Sequence, residues 1–435
     1  MTYEEAIRKI ESLQQFGSRP GLERIGALMN RLGNPQERLK FLHVAGTNGK
    51  GTTCALLASV LRSAGYRTGL YISPHLADFR ERMQIDGQMI SHSELASLAS
   101  RVFSETEKMK SQGEIITEFE AVTAMAFLWY AEKACDLVVL EVGLGGRLDA
   151  TNVIRKPLVS VITSISLDHT RILGNTVEQI AREKCGIIKE DGVTVSYPDQ
   201  KPDAAEVIRK VAGERHNRLV EAASAGVKKL STDLSGTELL WNGVRLHLPF
   251  LGEHQIKNAA TALAALDVLR SSGYSIPEEA VKRGFSEAVF PARFEVLSLD
   301  PTVVLDGAHN PDGTAALAAA VRQYLPGRDL IAVMGMLEDK DVDAALENLS
   351  GLFSFVITTE PPSSRSMSAG ELAERWRRMG VSAEPAKGQN EALQMADSRL
   401  KPDGSLLICG SLYLAGAVRS RALRLWNRSP LLHES

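Results

Sequence analysis

The chain reads as an α/β protein: a P-loop domain on a doubly wound, mostly parallel sheet, followed by a smaller Rossmann-like α/β domain. Three observations predict this. Short runs apolar on both faces, FLHVAG, GLYIS, LVVLEVG and SVITSIS, alternate with amphipathic stretches, as parallel strands covered by helices require. A glycine-rich stretch, GTNGKGTT from Gly46 to Thr53, lies between the first of these strands and a periodic helix. A second alternating series follows VFPARFEVLSLD: TVVLDGAHN, DLIAVMGML and FSFVITTEPP each precede helical sequence, and SLLICGSLYLAGAVRSRAL completes it.

A chain of 435 residues exceeds what one core usually serves, and two domains are expected, 1–292 and 293–435, with the boundary near Phe290 to Arg293. With 44% hydrophobic and 24% charged residues the composition is that of a soluble globular protein and excludes disordered, fibrous and membrane classes. A formal net charge of -3 gives no bulk attraction to nucleic acid or anionic membrane, and no basic stripe carries interleaved aromatics, so neither partner is expected. No apolar run approaches the roughly 18 residues that cross a bilayer. The opening MTYEEAIRKIESL has acidic residues and no basic stretch before an apolar core, unlike a signal peptide. Cys54, Cys135, Cys185 and Cys409 are scattered, without zinc spacing, and read as reduced thiols of a cytoplasmic protein.

In chain order, FLHVAG, TTCALLASVLRSAGY and RTGLYISP predict strand, helix, strand, and CDLVVLEVG and PLVSVITSIS predict further buried strands. Between Val193 and Pro249 short polar, β-prone pieces such as TELLWNGVRLHLPF predict an antiparallel excursion, which ends at a helix begun near HQIKNAATALAALDVL. No internal repeat interrupts the series.

The loop departs twice from G-x-x-x-x-G-K-[ST]: Val44 stands where the first glycine belongs, and Gly51 separates Lys50 from Thr52. Its chemistry is intact. Gly46, Gly49 and Gly51, with Thr47 and Asn48 between them, present backbone N–H groups to an anion at a helix N-terminus; Lys50 suits the β and γ phosphates of ATP, and the Thr52 hydroxyl suits magnesium. Other strands deliver Ser73, Glu141, Asp168 and His169 to the same carboxyl edge, a set suited to a metal. For Glu141 the alternative is a structural ion pair, and for His169 a merely hydrogen-bonded ring. Lys184 in AREKCGIIK is, on spacing, an ordinary helix residue. His254, Gln255 and Asn258 either cap and pack a helix or line a base pocket. Asp306, His309 and Asn310 end a buried strand of the second domain, a position that favours function.

These residues resemble the folylpolyglutamate synthase and dihydrofolate synthase family, of the muramyl-ligase superfamily. The likeness runs in order through HVAGTNGKGTT, GLYISPHLADFRERMQIDG, TEFEAVTAMAF, LVVLEVGLGGRLDATN, SISLDHTRILGNT, IAREKCGIIK, LGEHQIKNAATALAAL, FPARFEV, LDGAHNP and GSLYLAG. It implies an ATP-dependent ligase that joins L-glutamate to dihydropteroate and to reduced folates through an acyl phosphate. It implies two magnesium ions held by Thr52, Ser73, Glu141 and His169, and a carbamylated lysine at Lys184. It further implies an adenine-side role for Asn258, catalytic roles for Lys50 and His169, and roles for Arg293, Asp306 and His309 in bringing the second domain onto the nucleotide. Ser73, Pro74 and His75 would meet the pterin-bearing substrate, and a monomer is expected. Against the family pattern, Thr52 replaces a commoner serine, Cys185 an alanine and Ala292 a glycine. A synthase acting on folates alone is the alternative, and outside the class a nucleotide-dependent switch protein. A muramyl ligase proper would carry a large extra N-terminal domain, whereas about 40 residues precede the loop.

Overall fold

The computed structural model describes residues 1–17, 19–222, 226–327 and 329–426. They cluster into two units, the first Met1–Lys228, Leu240–Leu246 and Lys257–Val289, the second Lys229–Leu239, His247–Ile256 and Phe290–Ser435. The expected α/β architecture is present in both.

The first unit is built on one eight-stranded sheet: β1 (Phe41–Ala45), β2 (Thr68–Tyr71), β3 (Met83–Ile85), β4 (Gln88–Met89), β5 (Leu137–Glu141), β6 (Val159–Ile162), β7 (Val193–Ser196) and β8 (Arg218–Glu221). Their order is β4-β3-β2-β5-β1-β6-β7-β8. The six strands from β2 to β8 pair in parallel, and β3 and β4 add an antiparallel edge. From β1 the chain first passes to β2 on one side, returns through β5 next to β1, and then crosses to β6, β7 and β8 on the other side, so the switch point of the sheet, where α/β proteins bind ligands, falls at the carboxyl end of β1. The register pairs Val44 with Glu141, Ala45 with Ile162, and Tyr71 with Leu140, bringing the ends of four strands level.

One expectation is corrected here. Residues 193–221 do not leave the sheet; they form β7, the helix Pro202–Glu214 and β8, another parallel unit. The short strand VTVS and the exposed β8 gave little apolar signal, whereas Pro202 at the first turn is a regular helix start. The excursion is confined to β9 (Val227–Asp233), β10 (Gly236–Trp241) and β11 (Val244–Leu248), joined by two-residue turns into a three-stranded sheet.

Helices cover the parallel sheet. The helix Glu118–Glu132 is apolar nearly all round and buried accordingly, with Phe127 edge-on to Phe41 at 5.4 Å. Its start is fixed by reciprocal bonds: the Thr117 hydroxyl accepts from the Glu120 amide, and the Glu120 carboxylate accepts from the Thr117 amide at 2.8 Å. Truncating Phe127 to alanine would cost about 3–5 kcal/mol.

The second unit contains a six-stranded sheet, β12 (Glu295–Leu299), β13 (Thr302–Leu305), β14 (Leu330–Met334), β15 (Phe355–Thr358), β16 (Ala383–Pro385) and β17 (Ser405–Cys409), ordered β12-β13-β17-β14-β15-β16. Only β12 runs antiparallel. Its core gathers Val304, Ala332, Val356, Leu407 and Trp376. Among the described residues no helix is long and apolar enough to cross a membrane.

Candidate functional site

The loop Gly46–Thr53 leaves β1 at the switch point and runs into the helix Lys50–Ser63. It is stapled to the segment after β6: the Thr47 amide donates to the Ser164 carbonyl at 2.8 Å, and the Thr47 hydroxyl and the Ser166 backbone exchange two bonds of 3.1 Å. Gly49 caps the helix at φ 87°, and a Cβ there would lie 2.3 Å from the Asn258 Oδ1. Only glycine satisfies both demands. The same closeness brings Asn258, buried on the helix Glu253–Ser271, against the loop.

Two lysines meet the loop from inside. Lys50 Nζ donates to the Thr47 carbonyl at 3.2 Å, and the buried Lys184 Nζ to the Gly46 carbonyl at 2.8 Å. Burial, reinforced by the Lys50 charge, lowers Lys184 to about 7 from its usual 10.5, so much of it is a neutral amine near neutral pH. The segment around it is tied down: a Cβ on Gly146 would strike the Lys184 carbonyl at 2.7 Å, and the Arg147 amide donates to the Glu183 carbonyl at 2.7 Å. Lys184 is therefore no ordinary helix residue. Burial also pushes the neighbouring Cys185 thiol up to about 12, leaving it unreactive.

Of the four residues suited to magnesium, Glu141 and Ser73 stand at strand ends and Thr52 in the helix Lys50–Ser63. Glu141 closes β5, 4% exposed, and its Oε2 accepts the Ser73 amide at 3.1 Å just past β2. Thr52 is also buried, in the first turn of the helix that the loop opens. A hydroxyl and a carboxylate are the hard-oxygen donors that magnesium takes. His169 stands apart on the loop after β6, half-exposed, at φ 50°, its Nε2 4.0 Å from Asp168. Among the described residues no three His, Cys, Asp or Glu side chains form a metal cluster. The fit therefore rests on the hydroxyl and the Glu141 carboxylate.

Ser73 and His169 face a cleft of about 640 Å³ whose walls also include Pro74, Arg82, Glu118 and Asp149. His75, expected to meet the substrate, does not line it; its Nδ1 accepts from Arg82 Nε at 3.1 Å, and burial, with Arg82, lowers it to about 4, so it is neutral. Arg82 takes its place on the wall, paired with Glu118 at 3.1 Å. Asp149 also escaped sequence reasoning. It is fully buried and accepts from the Leu144 amide and from the Thr151 amide and hydroxyl, while burial raises its carboxyl. Since the Thr151 proton goes to Asp149, His43 Nε2 must donate to Thr151, 2.9 Å away.

In the second unit Asp306 ends β13, buried, accepting the Phe294 and Ala308 amides, both at 2.7 Å. Burial raises its carboxyl, opposed by Arg293. Arg293 donates to the Ala292 carbonyl at 2.8 Å, and His309 Nδ1 donates to the Gly307 carbonyl at 2.8 Å. Ala292, where the family favours glycine, sits at φ 56°, a conformation that strains any residue with a Cβ.

Comparison with known proteins agrees with this geometry. The Mur ligase middle domain matches residues 44–266, and the Mur ligase glutamate ligase domain residues 292–412. The chain is similar to the dihydrofolate synthase/folylpolyglutamate synthase of Bacillus subtilis, 36% identical, over 96% of this chain and 99% of that one. It is also 36% identical to a probable bifunctional folylpolyglutamate synthase/dihydropteroate synthase of Haloferax volcanii, over 99% of this chain; it spans about half, 51%, of that longer protein. Escherichia coli FolC in complex with DHPP and ADP superposes with a TM-score of 0.84 at 33% identity, covering 98% of each chain. The chain thus belongs to the Mur ligase family of ATP-dependent ligases, in its dihydrofolate synthase/folylpolyglutamate synthase branch.

Proposed function

We propose that this chain adds L-glutamate to dihydropteroate, giving dihydrofolate, and to the γ-carboxyl of reduced folates, giving folylpolyglutamates, with ATP cleaved to ADP and phosphate. The observation that carries the reading is the bond between Glu141 and the Ser73 amide, which joins the phosphate-loop edge of the sheet to a wall of the 640 Å³ cleft. An acceptor seated in that cleft would offer its carboxylate to a nucleotide at the loop. The name of the B. subtilis relative and the DHPP and ADP of the E. coli complex support the same pairing of substrates.

A carboxylate and an amine do not condense in water without activation. In the proposed reaction an acceptor carboxylate oxygen attacks the γ-phosphorus, the bond to ADP breaks, and an acyl phosphate results. The glutamate nitrogen then attacks the acyl carbon, phosphate departs with the carboxylate oxygen, and the amine loses its proton to water. The loop amides and Lys50 hold the phosphates and offset their charge. Thr52, Glu141, Ser73 and His169 are the residues that would hold magnesium, which would supply screening of the repulsion between nucleotide and carboxylate. Lys184, largely neutral, is suited to take up carbon dioxide as a carbamate, a carboxylate-like group beside the loop. Asn258 serves the nucleotide; Ser73 and Pro74 serve the acceptor; Arg293 and Asp306 serve the nucleotide, and Arg293 and His309 are the second unit's catalytic residues. The enzyme works as a monomer in the cytoplasm, where its four buried thiols stay reduced.

The test is ADP release with magnesium and ATP, on dihydropteroate or tetrahydrofolate, each with and without L-glutamate, with products weighed. Glutamate-dependent ADP and a gain of one glutamyl group on both acceptors is expected. ADP release indifferent to glutamate and acceptor, with no adduct, would point to a nucleotide switch and overturn the reading.

A further inference from the structure

Three arginines line the cleft, and two are already matched. Arg82 pairs with Glu118 at 3.1 Å, and Arg147 with Glu183 at 2.9 Å. The third, Arg19, is exposed and has no carboxylate partner among the described residues. Its guanidinium lies over the Phe16 ring, 5.6 Å from the centroid. That stacking occupies a face of the guanidinium and leaves the N–H donors around its edge available. Gln14, on the same segment, also lines the cleft, and its carboxamide makes no hydrogen bond among the described residues.

The segment is placed, not merely near. The Gly21 amide donates to the Leu148 carbonyl of the cleft-lining loop at 3.4 Å, and the Arg24 guanidinium donates to the Arg19 carbonyl. Arg24 is in turn held by Glu120 at 3.0 Å, on the helix that forms another wall. A surplus cation with free donors is thus fixed in the wall of a cleft whose other arginines are neutralised.

The two acceptors differ in the charge they bring. Dihydropteroate has one carboxylate, the one that reacts. A reduced folate, or any glutamylated product, carries in addition at least one α-carboxylate that takes no part in the chemistry. In a cleft whose other two arginines are paired with Glu118 and Glu183, Arg19 is the arginine available to that anion. Resting on the functional reading above, we propose that Arg19 is a specificity-determining residue: its guanidinium, with Gln14 beside it in sequence, receives the α-carboxylate of a glutamyl group already on the acceptor. Arg19 thereby favours folates over dihydropteroate. The guanidinium supplies to that carboxylate a positive charge and an N–H donor.

The test compares KM and kcat for tetrahydrofolate and dihydropteroate in the full-length enzyme, in Arg19→Gln and in Arg19→Lys. Arg19→Gln should raise KM for tetrahydrofolate about tenfold, as loss of one charge-assisted pair implies, with kcat and the dihydropteroate KM within about twofold of the parent. Arg19→Lys should recover most of the loss, and added salt should erode the parent's preference. Equal shifts on both acceptors, no shift on either, or a shift that lysine fails to rescue would overturn the assignment while leaving the ligase reading intact. An unsubstituted enzyme that forms no glutamyl product on either acceptor overturns the functional reading itself. The Arg19 side chain is exposed, and an unchanged melting temperature in both variants confirms that the comparison is between folded proteins.

Discussion

Replacing Lys184 by methionine should make the protein more stable in mild acid while abolishing ligation. The fall of this group from 10.5 to about 7 corresponds to about 5 kcal/mol of preference for the neutral amine in the folded chain. Below pH 7 both folded and unfolded chains hold the ammonium, and the burial penalty opposes folding in full. Between pH 7 and 10.5 the unfolded chain binds the extra proton, so stability rises with pH, and above 10.5 the penalty is gone. Methionine removes the penalty but leaves the Gly46 carbonyl without its donor, a loss of about 1–2 kcal/mol. At pH 6.5 Lys184→Met should therefore exceed the parent by about 3 kcal/mol, and by pH 9.5 the two should be about equal. Urea unfolding followed by tryptophan fluorescence, in buffer purged of carbon dioxide, gives both values, and other titrating groups cancel in the difference. A gap that is the same at both pH values would refute the reasoning, because the ammonium would then not feel its burial.

Further outcomes follow from the same geometry. At pH 7.5 about three quarters of Lys184 should be neutral, so labelled bicarbonate should give a carbamate carbon signal in nuclear magnetic resonance that Lys184→Met lacks. Gly49→Ala should lower ATP turnover at least about a hundredfold and destabilise by about 1–3 kcal/mol, since its Cβ would meet Asn258 Oδ1 at 2.3 Å in a left-handed turn; ADP release and thermal melting check both. Glu141→Gln keeps an acceptor for the Ser73 amide but loses the charge, and should weaken ATP binding about tenfold in magnesium while changing it little in chelator, as titration calorimetry would read. Thr117→Ala removes the hydroxyl of a buried capping box and should cost about 1–2 kcal/mol in urea unfolding.

What could be seen in the sequence was local. The loop, its flanking strand and helix, and the strand ends carrying Ser73, Glu141 and Asp306 are written in consecutive residues whose periodicity exposes them. The structure accordingly sets Ser73 against Glu141 and Asn258 against Gly49. What could not be seen depends on residues far apart in the chain. Arg82 lines the cleft and is held by Glu118, 36 positions away, while His75 accepts from Arg82 and lies off the wall. His43, an apparent strand residue, reaches Thr151 across 108 positions to complete the bonding of Asp149. Lys184 looked solvated because its spacing is helical; only the packing of the 143–152 loop against its backbone makes it buried. Residues 193–221 misled for the opposite reason, because β8 lies exposed at the sheet edge and lacks the apolar run that marks its neighbours.

The most direct measurement follows oxygen. Dihydropteroate labelled with oxygen-18 in its carboxylate, incubated with ATP, magnesium and L-glutamate, should yield phosphate carrying one labelled oxygen for each amide formed, because the carboxylate oxygen leaves with the γ-phosphoryl group. Amide product accompanied by unlabelled phosphate would contradict activation through an acyl phosphate at the Gly46–Thr53 loop.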